Sequence, residues 1–228
     1  MFNEELKQDK VTCIPFFKGK LQSDFNKLVL FLDSLHQQKL KASHWTDLKI
    51  IPKASFVMCY TPDSVCLKYD ISEPYFKADY RHTNDPVSED SCVELFISFG
   101  EDVNYYNLEF NALGTCLAAY GSGRNDRQRL PEELIAGIQH VQAWKVYIPE
   151  HNNYQWTLTL NIPLQVFCYS NLSSLDGSTA RANVYKCGDQ LIEPHYLMWN
   201  DIKTDQPDYH QPEYFRKISF EQLQDKKQ

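Results

Sequence analysis

The spacing of hydrophobic residues changes along this chain, from a helical period near the start to short alternating runs after residue 52. The early apolar stripe consists of Phe25, Leu28, Val29, Leu32 and Leu35. Intervals of three and four residues place such side chains on one side of a helix. The pattern therefore predicts one amphipathic helix, which begins near Ser23 and packs on the rest of the protein.

The rest of the chain predicts β-strands. Ten runs rich in β-branched and aromatic residues are separated by turn signals. These runs cover residues 55–60, 65–71, 92–99, 105–112, 115–120, 140–148, 154–162, 180–187, 195–199 and 214–220. Segments 130–138 and 163–167 each contain an early proline and predict short helical turns. The expected fold class is all-β: a two-sheet antiparallel β-sandwich with an N-terminal helix and short helical decorations.

Nothing in the sequence divides the chain into separate globular parts. Its 228 residues, 43% of them hydrophobic, suffice for one large core. The chain shows no internal repeat, low-complexity tract or Gly/Ser linker. We therefore expect one structural unit, with residues 1–49 as an N-terminal helical extension packed on a sandwich formed by residues 50–228.

Runs 92–99 and 105–112 alternate in polarity, so each predicted strand has an apolar face and a polar face. If residues 100–103 form the turn, Glu94 lies directly across from Glu109. The same register pairs Leu95 with Leu108 and Ser98 with Tyr105. Both apolar sets then share one face, which makes this register internally consistent.

This register sets two carboxylates about 5 Å apart at Cβ, where like charges destabilise a sheet. We expect a compensating group: an arginine, a proton shared by the pair, a bound cation or the hydroxyl groups of a ligand. The candidate guanidinium groups are Arg81, Arg124, Arg127 and Arg181.

The polar face that carries this pair has the chemistry needed to bind a sugar. Carboxylates and amides accept from and donate to adjacent hydroxyl groups, while aromatic rings pack on C–H faces. A solvated sheet face with an arginine-paired carboxylate is the alternative interpretation. The candidate ligand-binding residues are Arg81, Glu94, Asn107, Glu109, Asn111, Arg124, Arg181, Asn183, Tyr185, His195 and Trp199.

The charge balance argues against two classes of partner. Lys and Arg total 23 against 30 Asp and Glu, a formal net charge of -7 that repels phosphate and anionic lipid. We expect no nucleic-acid and no membrane partner. The acidic and polar start does not resemble a secretory signal, so a cytoplasmic location is the default expectation.

Cysteine usage predicts buried thiols. The seven cysteines include no CxxC pair and fall mostly within apolar runs. We therefore expect no cofactor and no metal site. The order of residues also lacks a Ser-His-Asp, HExxH, P-loop or GxGxxG context.

At the same residues the sequence resembles carbohydrate-binding module family 9 and its relatives. The matching segments are NDPVSEDSCVELFISF (84–99), YYNLEFNALGTCLAAYG (105–121), ARANVYKCGD (180–189), HYLMWNDI (195–202) and PDYHQPEYFRKISFE (207–221). The resemblance spans about residues 50–221. It implies a sandwich that grips a small sugar or a glycan end between aromatic planes, and a glycan-processing enzyme as the class of protein partner.

The resemblance also assigns residues. The Glu of the family's Asp-Ser motif is Glu94, followed on the next strand by Asn107, Glu109 and Asn111. This chain has one residue more before that Glu than xylanase-attached modules do, which implies a bulge or shift near Cys92. It also lacks the Trp that precedes the motif in those modules.

Several functions stay open beside a non-catalytic sugar-binding domain. Glu94 and Glu109 have the spacing of about 5 Å that retaining glycosidases use, although any opposed pair on adjacent strands has it. A protein-interaction domain without a small ligand is a second alternative. A haem site is a third, with ligand types at Met58, Met198, His195 and His210.

Overall fold

The computed structural model describes residues 11–19, 25–148 and 153–223, without the side chains of 145–148. Helix α1 spans Phe25–Asp33 and buries Leu28 and Leu32. They pack with residues of two neighbouring strands, among them Val57 and Cys66. The amphipathic helix is therefore confirmed, whereas Ser23 lies outside the described residues.

All ten predicted strands are present among the thirteen strands that the described residues form. The strands are β1 Thr12–Ile14, β2 Gln38–Ala42, β3 Lys53–Tyr60, β4 Ser64–Glu73, β5 Cys92–Phe99, β6 Tyr105–Asn111, β7 Cys116–Gly121, β8 Arg127–Arg129, β9 Gln139–Ile148, β10 Asn153–Pro163, β11 Thr179–Cys187, β12 Tyr196–Met198 and β13 Arg216–Phe220. Helix α2 spans Glu132–Ile135, and Leu164–Val166 forms a 3-10 turn. Both short helical decorations are thus confirmed.

The strands form two layers around one core. The front sheet has the order β8-β7-β6-β5-β11-β12, with β13 beside β11 and β1 parallel to β13. The back sheet has the order β2-β3-β4-β10-β9, and β2 also bonds to β12. Apolar residues of both layers share one buried cluster, for example Leu67 and Tyr69 with Leu95 and Leu108. The β-sandwich fold is confirmed.

The outer side of the front sheet is also covered. Phe96, Tyr105 and Tyr185 project away from the main core and form a second buried cluster with Tyr209 and Phe215. The segment between β12 and β13, residues 199–215, therefore lies over β5, β6 and β11. Every residue of β5 and β6 is buried for this reason, including the polar ones.

The predicted N-terminal extension contributes β1, α1 and β2 to the structure. Strand β2 joins the two layers, because it pairs with both β3 and β12. The division of the chain at residue 50 stays a prediction. Among the described residues, none of the helices has the length and apolar character required to span a bilayer.

Candidate functional site

Glu94 and Glu109 lie directly opposite each other on β5 and β6. The register that the alternation predicted is confirmed, since Leu95 also pairs with Leu108. The two glutamates are only 4% and 5% exposed and occupy the outer face of the front sheet. Pairing with β6 runs from Cys92 without a shift, so the bulge expected there is not found in this register.

Both carboxylates line one cavity of about 90 Å³. Its floor is the outer face of the front sheet, and its walls come from the β7–β8 turn, the residues after β11 and the segment over the front sheet. The cavity is lined by Ser88, Glu94, Glu109, Arg124, Arg127, Cys187, Asp189, Tyr196, Pro207, Asp208, Tyr209 and His210. We call it the carboxylate cavity.

An arginine compensates the carboxylate pair. Arg127 Nη1 donates to Glu109 Oε1 at 3.3 Å, and Asn107 Nδ2 donates to the same oxygen at 2.7 Å. Of the four compensating mechanisms that the sequence left open, the structure therefore contains the nearby arginine. Glu109 is held in place by two donors.

The two carboxyl groups differ in their electrostatic surroundings. Burial, and then the neighbouring Glu109, raise the pKa of Glu94 well above its usual value. Burial also raises the pKa of Glu109, but Arg127 and Arg129 oppose that rise. Cys187 Sγ donates to Glu94 Oε1 at 3.0 Å. Glu109 is therefore the group of the pair that better holds a negative charge.

Aromatic side chains support the opposite wall of the cavity. Tyr209 stacks on Tyr185 with ring centroids 4.0 Å apart and an interplanar angle of 11°. The Tyr105 hydroxyl lies 2.7 Å from His210 Nδ1. Burial, aided by Arg127, lowers the pKa of His210 to about 3, so this histidine is neutral near pH 7. The wall thus presents uncharged rings beside charged groups.

Five of the predicted site residues lie in or against this cavity. Glu94, Glu109 and Arg124 line it directly. Asn107 is buried behind it and orients Glu109. Tyr185 is fully buried beneath Tyr209.

Asn111, Arg181 and Asn183 make contacts within the protein instead. The Asn111 side chain bonds Asp90 and nearby backbone groups. Arg181 donates to the Asp102 carbonyl at 2.7 Å, and Asn183 bonds the Asn200 backbone through both of its polar atoms. These side chains anchor loops and do not line the cavity.

Arg81, His195 and Trp199 also lie away from the carboxylate pair. Arg81 lines a separate depression beside Gly114 and His140. His195 Nε2 lies 2.8 Å from the buried Lys186 Nζ, on the other side of β11 from the cavity groups. Trp199 belongs to the main core, which explains its small exposure of 6%. The structure therefore does not bring these three residues to the carboxylate pair.

The sequence interpretation missed most of the cavity wall. Cys187 and Asp189 follow each other closely at the end of β11, and residues 207–210 belong to the segment over the front sheet. Two signals were present, because both stretches fall within segments that carry the family resemblance. Their contact with Glu94 depends on tertiary packing, which sequence periodicity does not reveal.

Comparison with known proteins identifies this architecture. A model of carbohydrate-binding family 9 matches residues 24–220. A solved structure from Bacteroides uniformis, described as a candidate carbohydrate-binding protein, is 28% identical with a TM-score of 0.80. That match covers 93% of this chain and 99% of the other. None of the curated proteins matches this chain.

Two further structures share the fold. Both are a family 9 module from Caldicellulosiruptor kristjanssonii, one in complex with cellotriose and one with glucose. The cellotriose complex is 8% identical, with a TM-score of 0.58, and the match covers 96% of this chain and 97% of that one. The glucose complex is 10% identical, with a TM-score of 0.55 and coverages of 95% and 98%. Identities this low show a common fold.

Proposed function

This chain belongs to carbohydrate-binding family 9, and on that premise we propose that the carboxylate cavity binds a small sugar or the end of a glycan without catalysis. The observation that carries the proposal is the opposed pair of Glu94 and Glu109 at the floor of the cavity. Arginine and aromatic side chains surround the pair. Together they supply acceptors, donors and apolar surface for a polyhydroxyl ligand.

The size of the cavity limits what enters it. A volume of about 90 Å³ leaves room for several water molecules or for the edge of one sugar ring. We therefore propose that one terminal residue inserts two adjacent hydroxyl groups between Glu94 and Glu109. The remainder of a longer glycan extends into solvent. The glucose and cellotriose complexes of the C. kristjanssonii module support a neutral ligand of this kind.

A binding function fits the carboxylate pair better than glycoside hydrolysis does. Glu109 is held by Arg127 and Asn107, and this restraint suits a fixed hydrogen-bond acceptor. The spacing of the pair follows from its cross-strand position and carries no catalytic signal of its own. Family 9 modules are binding modules, which favours the same proposal. A glycan-processing enzyme is the partner that this function predicts.

Calorimetric titration of the full chain with glucose, xylose and cellotriose tests the proposal. We expect at least one sugar to bind, and Glu109→Gln to weaken binding by about tenfold or more, because a charge-assisted hydrogen bond is lost. Absence of heat with every sugar at millimolar concentrations contradicts the proposal.

Two exposed arginines offer a matched pair of variants. Arg124 lines the carboxylate cavity, whereas Arg81 lines the separate depression. Arg124→Met should weaken sugar binding, and Arg81→Met should leave it unchanged. Equal effects of the two substitutions would place the sugar elsewhere on the protein.

A further inference from the structure

Two cysteines and a glutamate cluster beside the carboxylate cavity, and two of the three, Glu94 and Cys187, line it. Cys92 on β5 lies directly opposite Cys187 on β11, and Glu94 is two residues further along β5 on the same face. One ligating atom from each of the three residues lies within 4.8 Å of the others. All three side chains are buried. The cluster forms because adjacent antiparallel strands bring together residues 95 positions apart.

This donor set suits a borderline-soft cation. Zinc is bound by cysteine sulfur at about 2.3 Å and by carboxylate oxygen at about 2.0 Å, usually in tetrahedral geometry. Donor atoms as close as these converge on one ion after small side-chain rotations. Thiolate ligands disfavour magnesium and calcium, which prefer oxygen donors.

We propose that Cys92, Glu94 and Cys187 bind one Zn²⁺ ion whose fourth coordination position opens into the carboxylate cavity. Glu94 and Cys187 themselves line that cavity, so an ion reaches the cluster from solvent. The total negative charge of two thiolates and one carboxylate exceeds the positive charge of the ion by one. Arg124 on the same cavity supplies one compensating positive charge, whereas Arg127 is paired with Glu109.

A second cysteine pair in the protein has the same cross-strand arrangement and provides a comparison for this cluster. Cys59 and Cys66 also lie directly opposite each other, on β3 and β4, and both are buried. Among the described residues, no carboxylate completes a close three-residue cluster with this pair. The Cys59 and Cys66 pair is therefore the matched control. The zinc proposal does not rest on sugar binding, although Glu94 belongs to both sites.

The test uses Co²⁺ as a spectroscopic probe for the zinc site in the full chain, reduced, metal-free and without sugar. We expect one equivalent of Co²⁺ to produce thiolate-to-metal charge-transfer absorption, and Zn²⁺ to displace it. Cys92→Ser and Cys187→Ser should each weaken Co²⁺ binding by more than about 100-fold, because loss of a direct ligand exceeds the effect of losing its supporting contacts. Cys59→Ser with Cys66→Ser should leave affinity and spectrum unchanged.

Glu94→Gln provides a variant that conserves side-chain size if a cysteine substitution prevents folding, which near-ultraviolet circular dichroism of the buried tyrosines reports. It should retain thiolate absorption but bind Co²⁺ at least about tenfold more weakly. The proposal is overturned if Co²⁺ gives no charge-transfer band. It is also overturned if Cys187→Ser binds Co²⁺ as tightly as the parent chain with an unchanged band, if substitution of the control pair abolishes the band, or if Glu94→Gln binds as tightly as the parent chain. Sugar titration of the metal-free chain remains a separate measurement, so either proposal can fail alone.

Discussion

Glu94 and Glu109 face each other across β5 and β6, and both carboxylates line one cavity. Like charges in this position oppose pairing of the strands. The sheet tolerates them because Arg127 and Asn107 donate to Glu109, while Cys187 donates to Glu94. A pair that needs this much support contributes little to stability, which is consistent with a role in binding.

Arg127→Met is expected to destabilise the protein. Glu109 would lose its ion-pair partner and remain buried at 5% exposure. The expected loss in the free energy of unfolding is on the order of 2 kcal/mol. This loss is smaller than for a fully buried ion pair, because the arginine itself is partly exposed. Urea unfolding measures it. Adding Glu109→Gln should recover part of the loss, and a double variant no more stable than Arg127→Met would contradict this account.

Gly121→Ala is expected to disturb the turn that carries Arg124 and Arg127. A Cβ at Gly121 would lie 2.0 Å from the Asp126 carbonyl oxygen, which is backbone and must shift. Sugar affinity and thermal stability should both fall. Gly123→Ala in the same turn meets nothing within 4 Å and serves as the control. Melting curves and calorimetric titration compare the two, and similar behaviour would show that the turn geometry does not matter.

The sequence predicted strands β5 and β6 and their register because one face of each strand is apolar at every second residue. It did not predict β8, whose residues Arg127–Arg129 include no apolar side chain. That strand exists through pairing with β7. The composition of the cavity wall was beyond prediction for a related reason: Asp189 and His210 approach Glu94 through loops, whose paths depend on packing.

His195 is a candidate site residue that the structure places away from the cavity. It is only 2% exposed. Its Nε2 accepts from Lys186 Nζ at 2.8 Å, and Lys186 forms an ion pair with Glu73 at 2.8 Å. The sequence around Lys186 does not indicate that the amine of this lysine is buried.

Lys186→Met should therefore be strongly destabilising. Glu73 is completely buried, and its other oxygen accepts from Trp156 Nε1 at 2.6 Å. Removing the cation leaves a buried carboxylate without its counter-charge, at a cost of about 3–5 kcal/mol. Denaturant unfolding measures the change. Combination with Glu73→Gln should restore much of it, and the lack of any restoration would argue against the ion pair.

The contribution of His195 to stability should fall as the pH is lowered from about 6.5. Burial, followed by the charge of Lys186, lowers the pKa of His195 to about 2, against about 6.5 in the unfolded chain. Between these values the unfolded state binds a proton that the folded state excludes, so acidification favours unfolding. His195 alone should contribute about 2 kcal/mol between pH 6.5 and 5. Chemical denaturation at several pH values measures the slope.

His195→Gln supplies the control for that slope, because its amide oxygen can accept from Lys186 without titrating. The variant should lose one part of the pH dependence, and His210 should retain its own. His82→Gln, at an exposed position, should change nothing. An unchanged slope in His195→Gln would show that another group produces the acid sensitivity.

The location of the sugar is the central claim, and a crystal structure of the chain soaked in glucose and cellotriose tests it most directly. We predict a sugar residue in the carboxylate cavity, with hydroxyl oxygens within about 3 Å of Glu94 and Glu109. A larger depression of about 520 Å³ lies beside Trp199 and Arg216 and is the main competing location. A sugar bound there, with only solvent between the two glutamates, would contradict the account.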